Sequence, residues 1–208
     1  MDGWPKTWFA ISGKLERINF KGLSDFRFPE ELARLVISKY SEKGDLVFDP
    51  FCGFGTTLVV ARKLNREAIG FEIDKTRADF ARRRSHSNVI NDNVENLNKY
   101  KLPKFDLLLC SPPYLSLRYP KDPEGRFYLK DIFRIFKKIK PHMKKNSYLV
   151  VEVANLSREK EFRPQAWNVG LTLSKLFTLE GEVIRANTSE VEAGGNNNHS
   201  YLLIFQNR

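Results

Sequence analysis

The sequence of 208 residues predicts an α/β fold with one open, mostly parallel sheet and helices on both of its faces. The first observation is that short apolar runs, typical of buried strands, alternate with segments of helical periodicity. The second is that this alternation continues through most of the chain, as it does where helical crossovers join parallel strands. The third is that the last two apolar runs have no helix between them, which predicts an antiparallel hairpin at the end of the chain.

The predicted elements follow one another from residue 30 onward. The first is a helix over 30–37, and Pro29 is compatible with its start because the first helical N–H groups have no partner within the helix. Strands are then predicted over residues 45–49, 68–71, 89–93, 106–110, 148–153, 181–186 and 201–205. The remaining helices are predicted over residues 56–65, 75–85, 128–140 and 167–177. We therefore expect a single domain over 1–208, with an N-terminal extension over 1–27 and a core over 28–205.

A glycine-rich turn follows the first core strand, in the segment Asp-Pro-Phe-Cys-Gly-Phe-Gly-Thr-Thr over 49–57. Gly53 and Gly55 would let the backbone pass close to a ligand. The turn lacks the Gly-Lys-Ser/Thr ending of a P-loop, and Leu58 stands where a dinucleotide fingerprint has its third glycine. Glu72 ends the next strand, about 20 residues further along the chain, where an acid can bind both hydroxyls of a ribose. This pattern predicts a nucleotide ligand without a pyrophosphate.

The tetrapeptide Ser111-Pro112-Pro113-Tyr114 ends the apolar strand predicted over 106–110. Two consecutive prolines stop the strand, since neither can donate a backbone hydrogen bond and both restrict φ. The carbonyl of Pro112 cannot enter the sheet ladder, the hydroxyl of Ser111 stands beside it, and the ring of Tyr114 is available for stacking. Two acceptors and an aromatic face suit an exocyclic amino group of a base, although the same residues could simply form the turn that closes an ordinary strand.

Together the two motifs resemble those of the amino-methyltransferases. These enzymes methylate N4 of cytosine or N6 of adenine with S-adenosylmethionine and carry Asp, Asn or Ser before Pro-Pro-Tyr. The resemblance covers roughly residues 26–205. It implies a Rossmann-like class I methyltransferase fold, with a seven-stranded, mostly parallel sheet whose last strand is antiparallel. It also implies S-adenosylmethionine as the cofactor and S-adenosylhomocysteine as the product.

The same resemblance implies where the site residues lie. Cofactor contacts are expected from Phe28, Asp49, Phe51, Gly53, Gly55, Thr56, Thr57, Glu72, Ile73, Asp92 and Asn93. The catalytic residues are expected to be Ser111, Pro112, Pro113 and Tyr114, with the Tyr114 ring also stacking on the target base. The predicted sheet, and not the resemblance, places two loops over 115–126 and 188–200 at the same end, where Arg118, Tyr119, Arg126, Asn197 and His199 are expected to contact the substrate. Alternatively, both loops are simply solvated.

Nucleic acid is the partner that composition favours, because the net charge of +10 attracts phosphate backbones. Almost every residue is assigned to the core, so we expect no target-recognition domain and a target identified by shape, as structured ribosomal RNA is. Serine at the first position of the tetrapeptide favours cytosine N4, since a hydroxyl can donate to cytosine N3 or accept from N4 whereas an ionised Asp only accepts.

Three alternatives stay open at this stage. The first is a DNA N4-cytosine or N6-adenine methyltransferase, and the second is a non-catalytic methyltransferase-fold subunit that binds nucleic acid. The third is a methyltransferase of protein glutamine amides, whose enzymes carry Asn-Pro-Pro-Tyr.

Other chemistries are disfavoured by the residues that the chain lacks. Its two cysteines and three histidines have no metal-ligand spacing, so we expect no metal. Cys52 and Cys110 are expected to be core residues, because prolines follow Cys110 whereas a C5-methylating enzyme presents its cysteine after a proline. No run of eighteen apolar residues and no signal pattern occur, so we expect a cytoplasmic protein without a membrane partner. We also expect a monomer or a weak dimer.

Overall fold

The computed structural model describes residues 7–11, 18, 27–113, 125–158, 161–187 and 199–208. Its strands are β1 (Trp8–Ile11), β2 (Leu46–Asp49), β3 (Glu67–Phe71), β4 (Asn88–Ile90), β5 (Phe105–Cys110), β6 (Met143–Val153), β7 (Leu156–Arg158), β8 (Glu161–Arg163), β9 (Thr178–Asn187) and β10 (His199–Gln206). Its α-helices are α1 (Glu30–Tyr40), α2 (Thr56–Lys63), α3 (Lys75–Ser85), α4 (Arg126–Ile139) and α5 (Gln165–Leu173). Two short 3₁₀ helices cover Val94–Lys99 and Lys140–His142.

The main sheet confirms the predicted fold class. Its strand order is β1-β9-β10-β6-β5-β2-β3-β4, and β10 runs antiparallel to both of its neighbours, β9 and β6. The pairs β2–β3, β2–β5, β3–β4 and β5–β6 are all parallel. Strands β9 and β10 therefore form the predicted antiparallel hairpin, and β10 is the one strand of the described sheet that runs against the others.

The number of strands differs from the expected seven, because the sheet has an eighth strand at its edge. This strand, β1, lies in the segment predicted as an N-terminal extension and pairs in parallel with β9. It was missed because four residues with a single fully buried side chain, Ile11, produce no recognisable periodicity. A separate two-stranded sheet of β7 and β8 was not predicted either.

Two apolar clusters, one on each face of the sheet, confirm that helices cover both faces. On one face, residues such as Leu32 of α1, Leu58 of α2 and Ala78 of α3 pack against Val47 and Leu109. On the other face, the packing involves Tyr128 and Phe136 of α4, Val169 of α5, and Phe48 and Leu108 of the central strands. Within the described residues, no helix combines the length and the apolar character that a membrane crossing requires.

The topology brings the predicted site segments to one edge of the sheet. The carboxyl ends of β2 to β6 lie at that edge, which is where open α/β sheets bind their ligands. Because β10 is antiparallel, its first residue, His199, lies at the same edge, opposite Ala186 near the end of β9. The loops that follow β5 and β9 thus both begin at the edge of the sheet where the predicted site segments lie.

Candidate active site

Asp49, the last residue of β2, anchors the glycine-rich turn. Its side chain is buried, and its two carboxylate oxygens accept hydrogen bonds from Thr57 Oγ1 at 2.6 Å and from the backbone N–H of Phe51 at 3.0 Å. Burial disfavours the charged form and raises the pKa of Asp49 to about 7, and the nearby Glu72 acts in the same direction. Asp49 therefore holds the turn in place from within.

The two glycines of this turn have different surroundings. Gly53 has a φ of +52°, and a Cβ built on it would meet nothing within 4 Å. Gly55 has a φ of +83°, and its Cβ would lie 3.0 Å from the Cβ of Ala81 on α3. Gly53 thus leaves open space beside the turn, where a ligand can approach the backbone, whereas Gly55 allows helix α3 to pack closely.

Glu72, just beyond β3, is joined to the same turn. Its Oε2 accepts the backbone N–H of Gly53 at 2.9 Å, and its Oε1 accepts the backbone N–H of Asp74 at 2.9 Å. Burial raises its pKa above the usual range of a glutamate. The Nδ2 group of Asn91, which sequence reasoning missed, donates to the carbonyl oxygens of Glu72 and Ile73 at 2.9 and 3.1 Å. The carboxylate is therefore fixed at the edge and retains lone pairs for two hydroxyl donors.

Asp92 and Asn93 follow β4, next to Glu72 along the edge. Asp92 accepts hydrogen bonds from Asn96 Nδ2 at 2.8 Å, Tyr100 Oη at 2.9 Å and the backbone N–H of Asn93 at 2.7 Å. Those from Asn96 and Tyr100 are the main cause of its lowered pKa. Ile73 has an exposed fraction of 71%, which leaves its side chain available to cover a flat ligand.

The remaining cofactor candidates form the walls around the turn. Phe28 is buried in the cluster that contains α1, and Phe51 is half-buried with its ring 6.4 Å from that of Phe136. Among the residues that the structure describes, Thr56 Oγ1 is one of the few buried side-chain oxygens without a hydrogen-bond partner. An unsatisfied donor at the start of α2, the open space at Gly53 and the fixed carboxylate of Glu72 suit the carboxylate and ribose of S-adenosylmethionine.

Ser111, directly after β5, is the first residue of a buried polar chain. Its hydroxyl donates to Glu152 Oε2 at 2.9 Å, and Glu152 Oε1 accepts from Arg185 Nη1 at 3.4 Å. Pro112, the next residue, is buried, and Pro113 is half-buried. Because β5 pairs with β2, with Val47 opposite Leu107, Ser111 and Asp49 end neighbouring strands. The predicted base-binding motif thus adjoins the predicted cofactor turn.

The predicted substrate contacts are only partly described. Tyr114, Arg118, Tyr119 and Asn197 lie outside the described residues. Arg126 is the first residue of α4, directly after Gly125, whose φ is +68°. His199 Nε2 lies 3.2 Å from Tyr201 Oη at the start of β10. The roles of all six predicted substrate contacts stay predictions.

The cysteines lie in the core, as expected. Cys52 and Cys110 are both buried, and burial raises the pKa of each thiol well above its usual value. A thiol held in its neutral form is a poor nucleophile. The part of the chain described here contains no group of three His, Cys, Asp or Glu side chains that could hold a metal ion.

Sequence reasoning missed Glu152 and Arg185, although a signal for Glu152 existed. It is the only acid in the apolar strand Tyr-Leu-Val-Val-Glu-Val over 148–153, and a buried glutamate is rare unless it is paired. Arg185 had no comparable signal, because arginine is common on strands whose outer face is solvated.

Comparisons with known proteins agree with this geometry. Residues 7–83 match the N6/N4 methyltransferase family, which is described as DNA methylase. The type II methyltransferase M.MthZI of Methanothermobacter thermautotrophicus is 35% identical over 60% of this chain and 42% of its own length. The orphan methyltransferase M.BamHII of Bacillus amyloliquefaciens is 43% identical over 37% of this chain and 29% of its own length. The chain therefore spans less than half the length of these curated relatives.

A solved structure confirms the fold independently of these sequence matches. A methyltransferase from Methanosarcina mazei, described as dependent on S-adenosylmethionine, superposes with a TM-score of 0.61 over 82% of this chain and 96% of its own. Its sequence is 16% identical, so this likeness concerns the Rossmann-like fold alone. The chain therefore has the fold of methyltransferases whose cofactor is S-adenosylmethionine, and over residues 7–83 it is similar to the N6-adenine/N4-cytosine amino-methyltransferases.

Proposed function

We propose that this protein transfers a methyl group to the exocyclic amino group of a base in DNA. The observation that carries the proposal is the adjacency of the Asp49 turn and the Ser111 motif, at the ends of the paired strands β2 and β5. Paired strands lie about 4.8 Å apart, so a methyl donor held by the turn would stand next to an amino group held at Ser111.

The cofactor half of the site divides among three strand ends. The methionine part of S-adenosylmethionine is assigned to the turn over 49–57, its ribose to Glu72, and its adenine to the surface formed by Ile73, Asp92 and Asn93. Bound there, S-adenosylmethionine would supply an activated methyl group. The open space at Gly53 and the remaining lone pairs of Glu72 support this assignment.

The protein's contribution to the reaction is electrostatic. An exocyclic nitrogen becomes tetrahedral and positively charged as it accepts a methyl group. Acceptors placed on its hydrogens therefore stabilise the transition state more than the ground state. We assign this role to the Ser111 hydroxyl oxygen and the Pro112 carbonyl, and assign stacking on the base to Tyr114. The base has to leave its helix to reach them.

DNA replaces the structured RNA that sequence analysis favoured as the substrate. The RNA prediction depended only on the expected absence of a target-recognition domain. In favour of DNA, the family that residues 7–83 match is described as DNA methylase. The net charge of +10 suits either polymer and so does not oppose the change.

Cytosine N4 is the first acceptor to test, because Ser111 matches the form of the motif that favours it, and adenine N6 is the second. Both amino groups present the same two hydrogens to Ser111 and Pro112. The relevant experiment incubates the protein with radiolabelled S-adenosylmethionine and duplex DNA, single-stranded DNA or ribosomal RNA, and then identifies methylated nucleosides by mass spectrometry.

Methylated cytosine or adenine in DNA would support the proposal. Methylation of RNA alone would restore the first prediction. Cofactor binding without transfer to any nucleic acid would instead favour the non-catalytic subunit. The Ser111→Ala variant is the matched control. It should bind the cofactor but transfer methyl groups much more slowly than the wild type.

A further inference from the structure

The chain Ser111–Glu152–Arg185 connects the base-binding motif to the interior of the sheet. Glu152 and Arg185 have exposed fractions of 5% and 6%. Both lie near the carboxyl ends of their strands, β6 and β9, on the sheet face covered by α1. The strand register explains their proximity. Cys110 is opposite Val151, which places Ser111 beside Glu152, and Arg185 reaches across β10, where Leu202 pairs with Glu152.

Stability alone does not explain why an ion pair is buried here. Removing a carboxylate and a guanidinium from water costs several kcal/mol per ion, and their attraction repays this only with good geometry. Apolar side chains of similar size would fill the same space among Leu109, Val150 and Leu202. A buried ion pair whose outer oxygen accepts a hydrogen bond from the predicted catalytic serine is better explained by an effect on that serine.

We propose that Glu152, held by Arg185, is a positioning residue that fixes the hydrogen of the Ser111 hydroxyl. This inference depends on the proposed function, because it assigns Ser111 the role of an acceptor for the target amino group. A hydroxyl has one hydrogen and two lone pairs. With its hydrogen directed at Glu152, Ser111 presents only lone pairs to the base, and the carboxylate behind it strengthens the oxygen as an acceptor.

One consequence concerns base selectivity. The sequence-based argument for cytosine allowed Ser111 to donate to cytosine N3, and a hydroxyl whose hydrogen is bound by Glu152 cannot do so. The serine and glutamate together act as an acceptor in the way that a single aspartate does in the Asp-Pro-Pro-Tyr relatives. Ser111 therefore does not distinguish the amino group of cytosine from that of adenine.

The test is a double-mutant cycle with Ser111→Ala and Glu152→Gln. Glu152→Gln preserves the shape but removes the carboxylate, so turnover should fall about tenfold, within the range of coupling between contacting polar residues. The Michaelis constant for DNA and the affinity for S-adenosylmethionine should stay unchanged. In the Ser111→Ala background, Glu152→Gln should cause no further loss. The exposed Glu182→Gln on β9 is the matched control and should have wild-type turnover.

A swap of the carboxylate gives a second, independent readout. Ser111→Asp alone would place two carboxylates together and should be nearly inactive. Combined with Glu152→Gln, whose amide can donate to Asp, it should recover activity above that of Glu152→Gln alone. Equal losses from Glu152→Gln with and without Ser111, or no recovery in the swap, would overturn the positioning role while leaving the methyltransferase proposal intact. A wild-type protein that methylates no nucleic acid would overturn both.

Discussion

The proposed site consists of two halves that differ in how their polar groups are held. In the half assigned to the cofactor (the cofactor half), at the ends of β2 to β4, most partners of the acids are close in sequence. Asp49 binds Phe51 and Thr57, while Glu72 binds Asp74 and, 19 residues away, Gly53.

In the base half, at the ends of β5, β6 and β9, the partners are distant in sequence. Ser111 is 41 residues from Glu152, and Glu152 is 33 residues from Arg185. Local turns therefore build the cofactor half, while the register of the assembled sheet builds the base half. Substitutions in one half should consequently leave the function of the other largely intact.

The largest expected effect separates the two halves directly. Ser111→Ala should lower turnover by about 10²–10³-fold, the usual result of losing one preorganised transition-state hydrogen bond. Affinity for S-adenosylmethionine should stay the same, because no cofactor contact is removed. Single-turnover methylation and calorimetry measure the two quantities. The control is Ser87→Ala, which lies just before the amino end of β4, at the opposite edge of the sheet. A parallel loss of cofactor affinity would show that the halves are not separate.

The second prediction concerns pH and Asp49. Because its pKa is raised from 3.8 to about 7 in the folded state, the folded protein binds this proton more tightly than the unfolded chain does. The free energy of unfolding should therefore fall as pH rises from about 4 to about 7, and then level off. Between pH 5 and the plateau, the decrease should be about 2–3 kcal/mol. Urea denaturation across this range measures the slope.

Asp49→Asn is the matched variant for that slope, since it removes the titrating group and keeps the size of the side chain. It should flatten most of the pH dependence. A weaker slope of the same sign should remain, because the pKa of Glu72 is also raised by burial. An equal slope in wild type and variant would assign the effect to other groups.

The third prediction tests the ribose assignment. Glu72→Ala should weaken binding of S-adenosylmethionine by about 10–100-fold, because hydrogen bonds to a charged group contribute about 1.5–3 kcal/mol. Turnover at saturating cofactor should stay close to that of the wild type. Glu72→Gln, which keeps one acceptor oxygen, should be intermediate in calorimetry. Unchanged affinity in Glu72→Ala would remove Glu72 from the cofactor site.

The smallest expected effect distinguishes the two glycines of the cofactor turn. Both have positive φ, so replacement by alanine should cost about 1–2 kcal/mol of stability at each position. Gly55→Ala should destabilise further in urea denaturation, since its Cβ would press on Ala81. Gly53→Ala should be the milder change in stability but should weaken cofactor binding, because its Cβ enters the open space beside the turn. The reverse ranking would exchange the two roles.

The difference between the halves also explains what could be predicted from the sequence. The turn over 49–57 and Glu72 directly follow predicted strands, and Asp92 lies near the end of the strand predicted over 89–93, so their positions at one edge followed from the βα alternation. The helix predicted over 75–85 coincides with α3, where Asp74 accepts the backbone N–H of Arg77 as an N-cap. Strand β1 and the hairpin β7–β8 were missed because short strands exist only through their pairing partners.

The sequence by itself determined the fold class, the family motifs and the location of the glycine-rich turn, because these depend on periodicity and on residues a few positions apart. Only the tertiary structure decided the partner of Ser111. Glu152 belongs to an apolar strand and Arg185 to a strand beyond it, and nothing in the linear pattern relates them. Their contact requires β10 to lie antiparallel between β6 and β9, so that three distant side chains meet on one face of the sheet.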